Sequence, residues 1–198
     1  MDKHRARTSR VHGMPVVDPI AAVFSTAPEL TVVQIVTALD AILTTCGNYP
    51  GLHTQKPLVT ITEIERRLLE WAGFTGCGKV RSALPLARLG VESPKETETR
   101  LLLVHAGLPE PVVQHEVRDC GRFIARVDLA YPALGIAIEY EGDGHRTSKD
   151  QWRADIRRQR DLEDRGWIVI RLTQADLKPS GQEDFLARVR RAITSRAR

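Results

Sequence analysis

The chain has 198 residues, of which 42% are apolar and 27% are charged, so it can form one ordinary domain with an accessory segment or two small domains. This composition excludes wholesale disorder, and no apolar run approaches the roughly 20 residues that cross a bilayer. The basic first ten residues are not followed by an apolar stretch, so we expect a cytoplasmic protein without a signal peptide or a membrane partner. Three widely spaced cysteines, Cys46, Cys77 and Cys120, fit neither a disulfide framework nor a zinc pattern.

The formal net charge is +4, which is compatible with a nucleic-acid partner but is common among proteins of other classes. Most of the excess lies at the two ends of the chain, where the sequence alone does not distinguish solvated tails from arms that bind DNA. The residues concerned are Lys3, Arg5, Arg7, Arg10, Arg188, Arg190, Arg191, Arg196 and Arg198.

The first half of the chain is predicted to be helical after a flexible N-terminus at residues 1–19, where Pro15 and Pro19 act as breakers. We define residues 20–91 as a helical accessory segment. Its predicted helices are 29–45, 60–73 and 79–89, of which the second begins with overlapping capping boxes. The last two helices could form a DNA-reading helix-turn-helix or serve as a helical support for the second half of the chain.

The pattern changes near residue 92. A helix is predicted to begin at Ser93 with Pro94 at its first position and Glu96 as the capping-box acid, and to end at Gly107. Alternating apolar runs then predict three strands, a long helix that ends at Gly166, a fourth strand and a last helix. The strands are 112–118, 122–131, 135–141 and 167–172, and the last helix is 181–195. The order αβββαβ predicts an α/β fold around one sheet in a domain of residues 92–198.

The most informative segment is 122–145, which contains two strands around a predicted hairpin tip at Ala133 and Leu134. In this register the facing pairs are all apolar: Leu129 with Ile138, Tyr131 with Ile136, and Val127 with Tyr140. A slip of one residue would mix the two faces, so the register is well specified.

The opposite face of this hairpin pairs Asp128 with Glu139 and brings Glu141 onto the same side. Two carboxylates at cross-strand distance repel each other unless a cation lies between them, and Mg²⁺ needs only one or two carboxylates plus water and phosphate. Ala130 and Ala137 beside the acids would leave a concavity. The alternative is a solvated strand face on which Arg126 bridges Glu141 and Asp128.

These residues also carry a resemblance. The pattern Asp128 followed by Glu139-Tyr140-Glu141, in the order αβββαβ, resembles the PD-(D/E)XK nuclease core. SPKETETRLLLVHAGLP, RVDLAYP, IEYEGDGH, DIRRQRDLEDRGW and VIRLT resemble the very-short-patch-repair-like endonuclease domain common in actinobacteria, over about residues 93–177. Related proteins are often labelled antitoxins of the abortive-infection type IV class. The resemblance implies a restriction-endonuclease-like domain that hydrolyses DNA with Mg²⁺ or Mn²⁺.

Carried over by position, the resemblance implies that Asp128 and Glu139 are metal ligands and that Tyr140 offers its backbone carbonyl. Glu141 falls where the family usually has Lys, although some members of the wider superfamily carry an acid there. Glu96 matches an acid on the first core helix that completes the metal shell or holds its water, although a helix cap alone also explains it.

Three further groups are candidates for the chemistry or for contact with DNA. His145, in a glycine-rich loop, could act as general base or as acid for the leaving group. Arg158 is predicted to pair with Asp155 at the edge of the helix. It either reaches into the site to stabilise the phosphate charge or forms a structural ion pair that holds the helix to the sheet. Candidate nucleic-acid contacts are Arg126, Lys149, Arg157 and Arg158.

The sequence thus predicts a metal-dependent DNA endonuclease that acts as a monomer or a homo-oligomer. The alternative from a different class is a catalytically inactive nuclease-fold protein that binds DNA and regulates, as an antitoxin does.

Overall fold

The structure is a computed structural model that describes residues 6–11, 13–45, 57–142 and 149–197. Within these ranges it is a mixed α/β protein with seven α-helices, a four-stranded mixed sheet and a separate two-stranded hairpin. The chain divides into two compact units, Met1–Thr97 and Glu98–Arg198, close to the predicted boundary at residues 91 and 92. Among the described helices, none has both the length and the apolarity needed to span a bilayer.

The predicted flexible N-terminus is wrong for residues 8–17, which form the antiparallel hairpin β1 (Thr8–Val11) and β2 (Met14–Val17). The strands turn at Gly13, whose φ of +80° lies in the left-handed region that glycine tolerates. Pro15 predicts a breaker, but a two-stranded hairpin consists of edge strands, where proline is accepted.

The remainder of the first unit is helical, as predicted, with one additional helix. This helix, α1 (Pro19–Thr26), begins with Asp18 as N-cap and Pro19 in its first turn, so Pro19 starts a helix and does not act as a breaker. The predicted helices appear as α2 (Val32–Leu43), α3 (Ile61–Glu70) and α4 (Cys77–Ala83). α4 is shorter than predicted because Pro85 lacks an N–H donor, and a 3₁₀ turn (Leu84–Leu86) replaces its last part. DNA reading by α3 and α4 stays a prediction.

Two clusters hold the first unit together. Phe24 stacks on Phe74 at a centroid distance of 4.9 Å, and Trp71 meets Phe24 edge-on at 5.6 Å. The fully buried carboxylate of Asp40 accepts hydrogen bonds from the Arg88 N–H at 2.7 Å and the Thr97 hydroxyl at 2.8 Å. These hydrogen bonds offset the cost of burying a charged group on α2.

The second unit follows the predicted order closely. α5 (Pro94–His105), which contains the boundary between the units, is followed by three strands, a long helix, a strand and a last helix. These are β3 (Val112–Asp119), β4 (Arg122–Tyr131), β5 (Ile136–Tyr140), α6 (Lys149–Glu163), β6 (Ile168–Leu172) and α7 (Pro179–Arg196). The strands lie in the order β3-β4-β5-β6, and only the β5–β6 pair is parallel.

The sheet of the second unit contributes to two apolar clusters. The larger cluster joins alternate residues of β4, β5 and β6 to α5 and α7, and includes Leu103, Leu129, Ile138, Ile170 and Phe185. The smaller cluster joins β3, β4 and β5 to Leu162 of α6, and includes Val117, Val127, Ala130 and Ala137. The sheet is therefore covered on both faces, as an α/β fold requires.

The pair Arg67–Asp18 fixes the start of α1 in the first unit. The two groups lie 3.2 Å apart, and the Asp18 carboxylate also accepts from the N–H groups of Ala21 and Arg7. Burial raises the pKa of Asp18, but these hydrogen bonds and the Arg67 charge outweigh it, so the pKa lies below its ordinary value. A lowered folded-state pKa adds stability above the unfolded pKa, and that stability is lost as the pH falls through the folded value.

We expect Arg67→Gln to lower the free energy of unfolding by about 3 kcal/mol, because it leaves a partly buried carboxylate without its cation. Arg66→Gln is the matched control, since Arg66 forms an exposed pair with Glu70 that contributes about 0.5 kcal/mol or less. Urea unfolding at pH 7 and pH 3 measures both, and the difference between the variants should shrink at the lower pH. Equal losses in the two variants would contradict the assignment.

Candidate functional site

The β4–β5 hairpin has the predicted register. Leu129 pairs with Ile138, Ala130 with Ala137, and Tyr131 with Ile136. The turn is a 3₁₀ turn (Pro132–Leu134) that closes at Gly135 with a φ of +60°. The pairing ends at Leu129 and Ile138, and the predicted pair of Val127 with Tyr140 is wrong, because Val127 packs on the α6 side of the sheet and Tyr140 against the cluster on the other side. Asp128 follows the last pair, and its charge acts on the Glu139 carboxyl. The two acids therefore lie close together at the end of the β4–β5 pairing.

Glu139 is a buried acid held by two arginines. Its side chain is 7% exposed, and its two oxygens each lie 3.1 Å from a terminal nitrogen of Arg158 on α6. Arg171 Nε, on the neighbouring strand β6, lies 4.0 Å from Glu139 Oε2. Among the described residues, Oε1 of Glu139 has no hydrogen-bond partner, because its contact with Arg158 lacks hydrogen-bond geometry.

The pKa of Glu139 is raised. Burial is the main cause, and the charges of Asp128 and Asp155 add to it, whereas Arg158 and Arg171 act in the opposite direction. A buried acid with a raised pKa and specific charge partners is a common feature of functional sites, although structural ion pairs also produce it.

The other two strand acids have different partners. Asp128 accepts a hydrogen bond from the backbone N–H of Tyr140 at 2.9 Å, which ties β4 to β5 beside Glu139. Glu141 forms an ion pair with Arg171, and a bridge from Arg126 to these acids stays a prediction. The Arg126 backbone carbonyl accepts from Arg158 at 3.3 Å.

Arg158 joins α6 to the site. Its guanidinium contacts both oxygens of Glu139, which is the ion pair between helix and sheet that the structural interpretation of this residue predicts. Contact of Arg158 with a phosphate stays a prediction. Its side chain is 38% exposed, so this cation lies between the buried acid and solvent. Asp155 lies near enough to raise the pKa of Glu139.

The expected concavity beside the acids is wrong. Ala130 and Ala137 are fully buried, and Leu162 and Trp167 pack in the same cluster. The small residues make room for this helix-side packing, so the candidate site is limited to the carboxylates and their arginines.

Glu96 is held as a helix cap. Its Oε1 accepts from the Ser93 hydroxyl at 2.8 Å and its Oε2 from the Glu92 N–H at 2.9 Å, while its own N–H donates to Ser93 at 3.3 Å. Ser93 and Glu96 thus bond each other as in a capping box, but the second carboxylate oxygen accepts from the Glu92 N–H in place of the Ser93 N–H. The structure shows Glu96 as a helix cap in the first unit, and a part in a metal shell stays a prediction.

The remaining candidates are only partly described. His145 lies outside the described residues, and so does the side chain of Lys149, the first residue of α6. Arg157 is exposed on α6. The Tyr140 hydroxyl donates to the Gln174 side chain at 3.4 Å, and the use of its carbonyl as a metal ligand stays a prediction.

Two residues beside the acids are absent from the sequence interpretation. The sequence pattern places Arg171 only on the last strand, but the parallel β5–β6 pairing sets it next to Glu139. Gln114 lies opposite Asp128 on β3, between the pairs Val113–Leu129 and His115–Val127, and its φ of +49° is unusual for a residue other than glycine. Such backbone strain is concentrated at functional sites.

The donor set fits a divalent cation that prefers oxygen ligands. Asp128 and Glu139 supply two carboxylates that lie close together, and the buried Oε1 of Glu139 accepts no hydrogen bond from the described residues. No group of three His, Cys, Asp or Glu side chains is placed to hold a metal within the described part of the chain. A cation here would therefore take the remaining ligands from backbone, water and phosphate, as Mg²⁺ commonly does.

Comparison with known proteins adds relatives but no function. No protein-family model and no solved structure matches the chain. The chain is 29% identical over 175 residues to uncharacterized proteins from two strains of Mycobacterium tuberculosis. The match covers 87% of this chain and 60% of each relative, so the chain spans less than two thirds of the relatives' length.

We expect Glu139→Gln to stabilise the protein at pH 7 by about 1 kcal/mol, because it removes a buried charge that the fold holds at a cost. A raised folded-state pKa contributes stability below the unfolded pKa that is lost as the pH rises through the folded value. The gain over the wild type should therefore grow from pH 4 to pH 8. Urea unfolding across this range tests it, with the exposed Glu163→Gln on α6 as control, and a loss of stability at pH 8 would contradict it.

Proposed function

We propose that the second unit is a metal-dependent DNA endonuclease that hydrolyses phosphodiester bonds. The observation that carries this proposal is the close approach of Asp128 and Glu139 where the β4–β5 pairing ends, with Glu139 buried and its pKa raised. Acids placed in this way cost stability, and a site that binds a divalent cation gives a reason to keep them.

The topology of the second unit supports a PD-(D/E)XK-like core as part of this proposal. The order of α5, β3, β4, β5, α6 and β6 is αβββαβ, and the parallel β5–β6 pair is connected through α6. The acids lie on the two central strands of the sheet, which positions them more rigidly than a loop would.

The proposed cofactor is Mg²⁺ or Mn²⁺, held by Asp128, Glu139 and the Tyr140 carbonyl. When bound, such an ion lowers the pKa of a water molecule and polarises a phosphate oxygen. Glu141 or His145 orients the attacking water.

The two arginines of the site have different proposed roles. Arg171 holds Glu139 and Glu141 in place from the adjacent strand, since it contacts both carboxylates. Arg158 is the more exposed of the two, so its guanidinium can turn from Glu139 to a phosphate and offset the charge of the transition state. Arg126, Lys149 and Arg157 contact the DNA backbone.

A second candidate function is a nuclease-fold protein that binds DNA and regulates without cutting it. The observation that favours it is the pairing of Glu139 with Arg158 and of Glu141 with Arg171, which neutralises both acids without a metal. In this case the arginines maintain the fold and the acids have no catalytic task.

We expect Asp128→Asn and Glu139→Gln each to abolish Mg²⁺-dependent nicking of a supercoiled plasmid, because each removes one of the two carboxylate ligands. Metal-ligand loss should reduce the rate by at least about 100-fold, whereas thermal unfolding should show an intact fold. The matched control is Asp161→Asn, which removes an exposed acid from α6.

The same assay separates the two candidate functions. Nicking in Mg²⁺ or Mn²⁺ that stops in EDTA, and that both variants lose, supports the endonuclease. DNA binding without any metal-dependent nicking by the wild type supports the regulatory protein, and unchanged nicking by either variant excludes this active site.

A further inference from the structure

The β3–β4 hairpin extends beyond the rest of the sheet. β5 pairs with β4 from Leu129 to Tyr131, whereas β3 stays paired with β4 as far as Asp119 and Arg122. We call residues 115–126 the β3–β4 arm. Its inner part is anchored by Val117, Ala125 and Val127, which pack against Leu162 of α6.

The tip of the arm is held in a defined shape. The pairing shifts by one residue at Val117 and Arg118, a β-bulge that increases the local twist. Cys120 and Gly121 both have positive φ, at 47° and 83°, as a tight two-residue hairpin turn requires. Asp119 forms an ion pair at 3.2 Å with Arg165, which follows α6, so the tip is fastened to the same unit.

An exposed aromatic ring lies on this tip. Phe123 is 51% exposed, although burial would stabilise a phenyl ring in the absence of a partner. The Arg118 guanidinium lies 5.9 Å from the centroid of the ring, and its side chain is itself 52% exposed. Arg118 also pairs with Glu116 at 2.7 Å. An ion pair this exposed contributes little stability and exchanges easily for another anion.

The charge around the ring is positive. Four arginines lie on the arm or contact it, Arg118, Arg122, Arg126 and Arg165, against two acids, Glu116 and Asp119. Both acids are already paired with arginines. The partner that complements this surface is an anion that also presents a flat apolar face.

We propose that the β3–β4 arm binds a nucleic-acid strand with an unpaired base, which stacks on Phe123 while Arg118 and Arg122 contact its phosphates. Aromatic rings bind unpaired bases through their faces, and arginines beside them follow the backbone. A fully paired duplex hides these faces within its own stack. The proposal deepens the endonuclease proposal and rests on its nucleic-acid partner.

The distance from the arm to the candidate site corresponds to a few nucleotides of a stacked strand. Phe123 and Asp128 are five residues apart on β4, which is roughly 17 Å along a strand at about 3.3 Å per residue. This length corresponds to roughly five nucleotides of a stacked strand at about 3.4 Å each. The stacked base would therefore lie a few nucleotides from the phosphate beside Asp128 and Glu139, so the substrate class is a nucleic acid with unpaired bases near the cleavage point.

The test is a binding titration of the full chain in EDTA, so that cleavage plays no part. The probes are a labelled 16-nucleotide single strand and the same sequence as a perfect duplex. Binding is measured by fluorescence anisotropy at low salt. The probe is about three times as long as the roughly five nucleotides estimated between Phe123 and Asp128. We expect the wild type to prefer the single strand. Phe123→Ala should weaken that binding about 5- to 150-fold, the effect of losing one stacked base.

Matched variants distinguish stacking from general damage. Phe123→Tyr keeps the ring and should bind as the wild type does, and Met14→Ala, which removes a 64% exposed apolar side chain from β2, should have no effect. Arg122→Gln removes one predicted phosphate contact, so the slope of log affinity against log salt concentration should become smaller by about 1.

Equal binding of the single strand by Phe123→Ala and the wild type overturns the proposal, and so does a wild type that prefers the duplex or binds neither probe. A single-strand preference that Phe123→Ala removes supports the arm, even if the plasmid assay finds no metal-dependent nicking. In that outcome the endonuclease fails and the binding surface stands.

Discussion

The buried carboxylate of Glu139 needs positive charge within a few ångströms, and this requirement organises one side of the second unit. Arg158 meets it from α6 and Arg171 from β6, so the ion pairs join a helix and an edge strand to the centre of the sheet. Removing an ion from water costs several kcal/mol, and two cations at the edge of the site only partly offset that cost. Burial outweighs the two arginines, and the pKa of Glu139 is raised.

Two acids of the first unit, one buried and one partly buried, have different surroundings from Glu139. Asp40 and Asp18 each accept hydrogen bonds from backbone N–H groups, and Asp18 is paired with Arg67, so its pKa is lowered and not raised. The hydrogen bonds to these two acids stabilise the local structure around them. Glu139 is the contrasting case, a carboxylate whose surroundings leave one oxygen without a hydrogen bond among the described residues. This contrast, more than the number of acids, singles out Glu139 as the residue to test.

Most of the second unit could be predicted from the sequence because its strands alternate regularly. The register of β4 and β5 follows from the apolar pairs Leu129–Ile138 and Tyr131–Ile136, and the observed pairing ends one residue short of Asp128 and Glu139. The change of side for Val127 could not be predicted from regular alternation. The contribution of Arg171 could not be found in the same way, since parallel pairing through a helical crossover leaves no local sequence signal. In the first unit, proline is a poor guide because an edge strand accepts Pro15 and a helix start accepts Pro19. The positive φ of Gln114 could not be predicted either, because glutamine rarely adopts a left-handed backbone.

The short 3₁₀ turn at Pro132–Leu134 has a consequence for how this molecule can vary. Side chains alternate between the two faces of a strand, so the length of the connection fixes which residues of β5 meet the Asp128 side of β4. One inserted residue would exchange the two faces of β5. Ile138 and Tyr140 would then point toward the Asp128 side, and Glu139 would point into the apolar cluster. Two inserted residues would keep the faces matched. Insertions of an even number of residues at this turn are therefore compatible with the fold. Insertions of an odd number are incompatible with both the core and the paired acids.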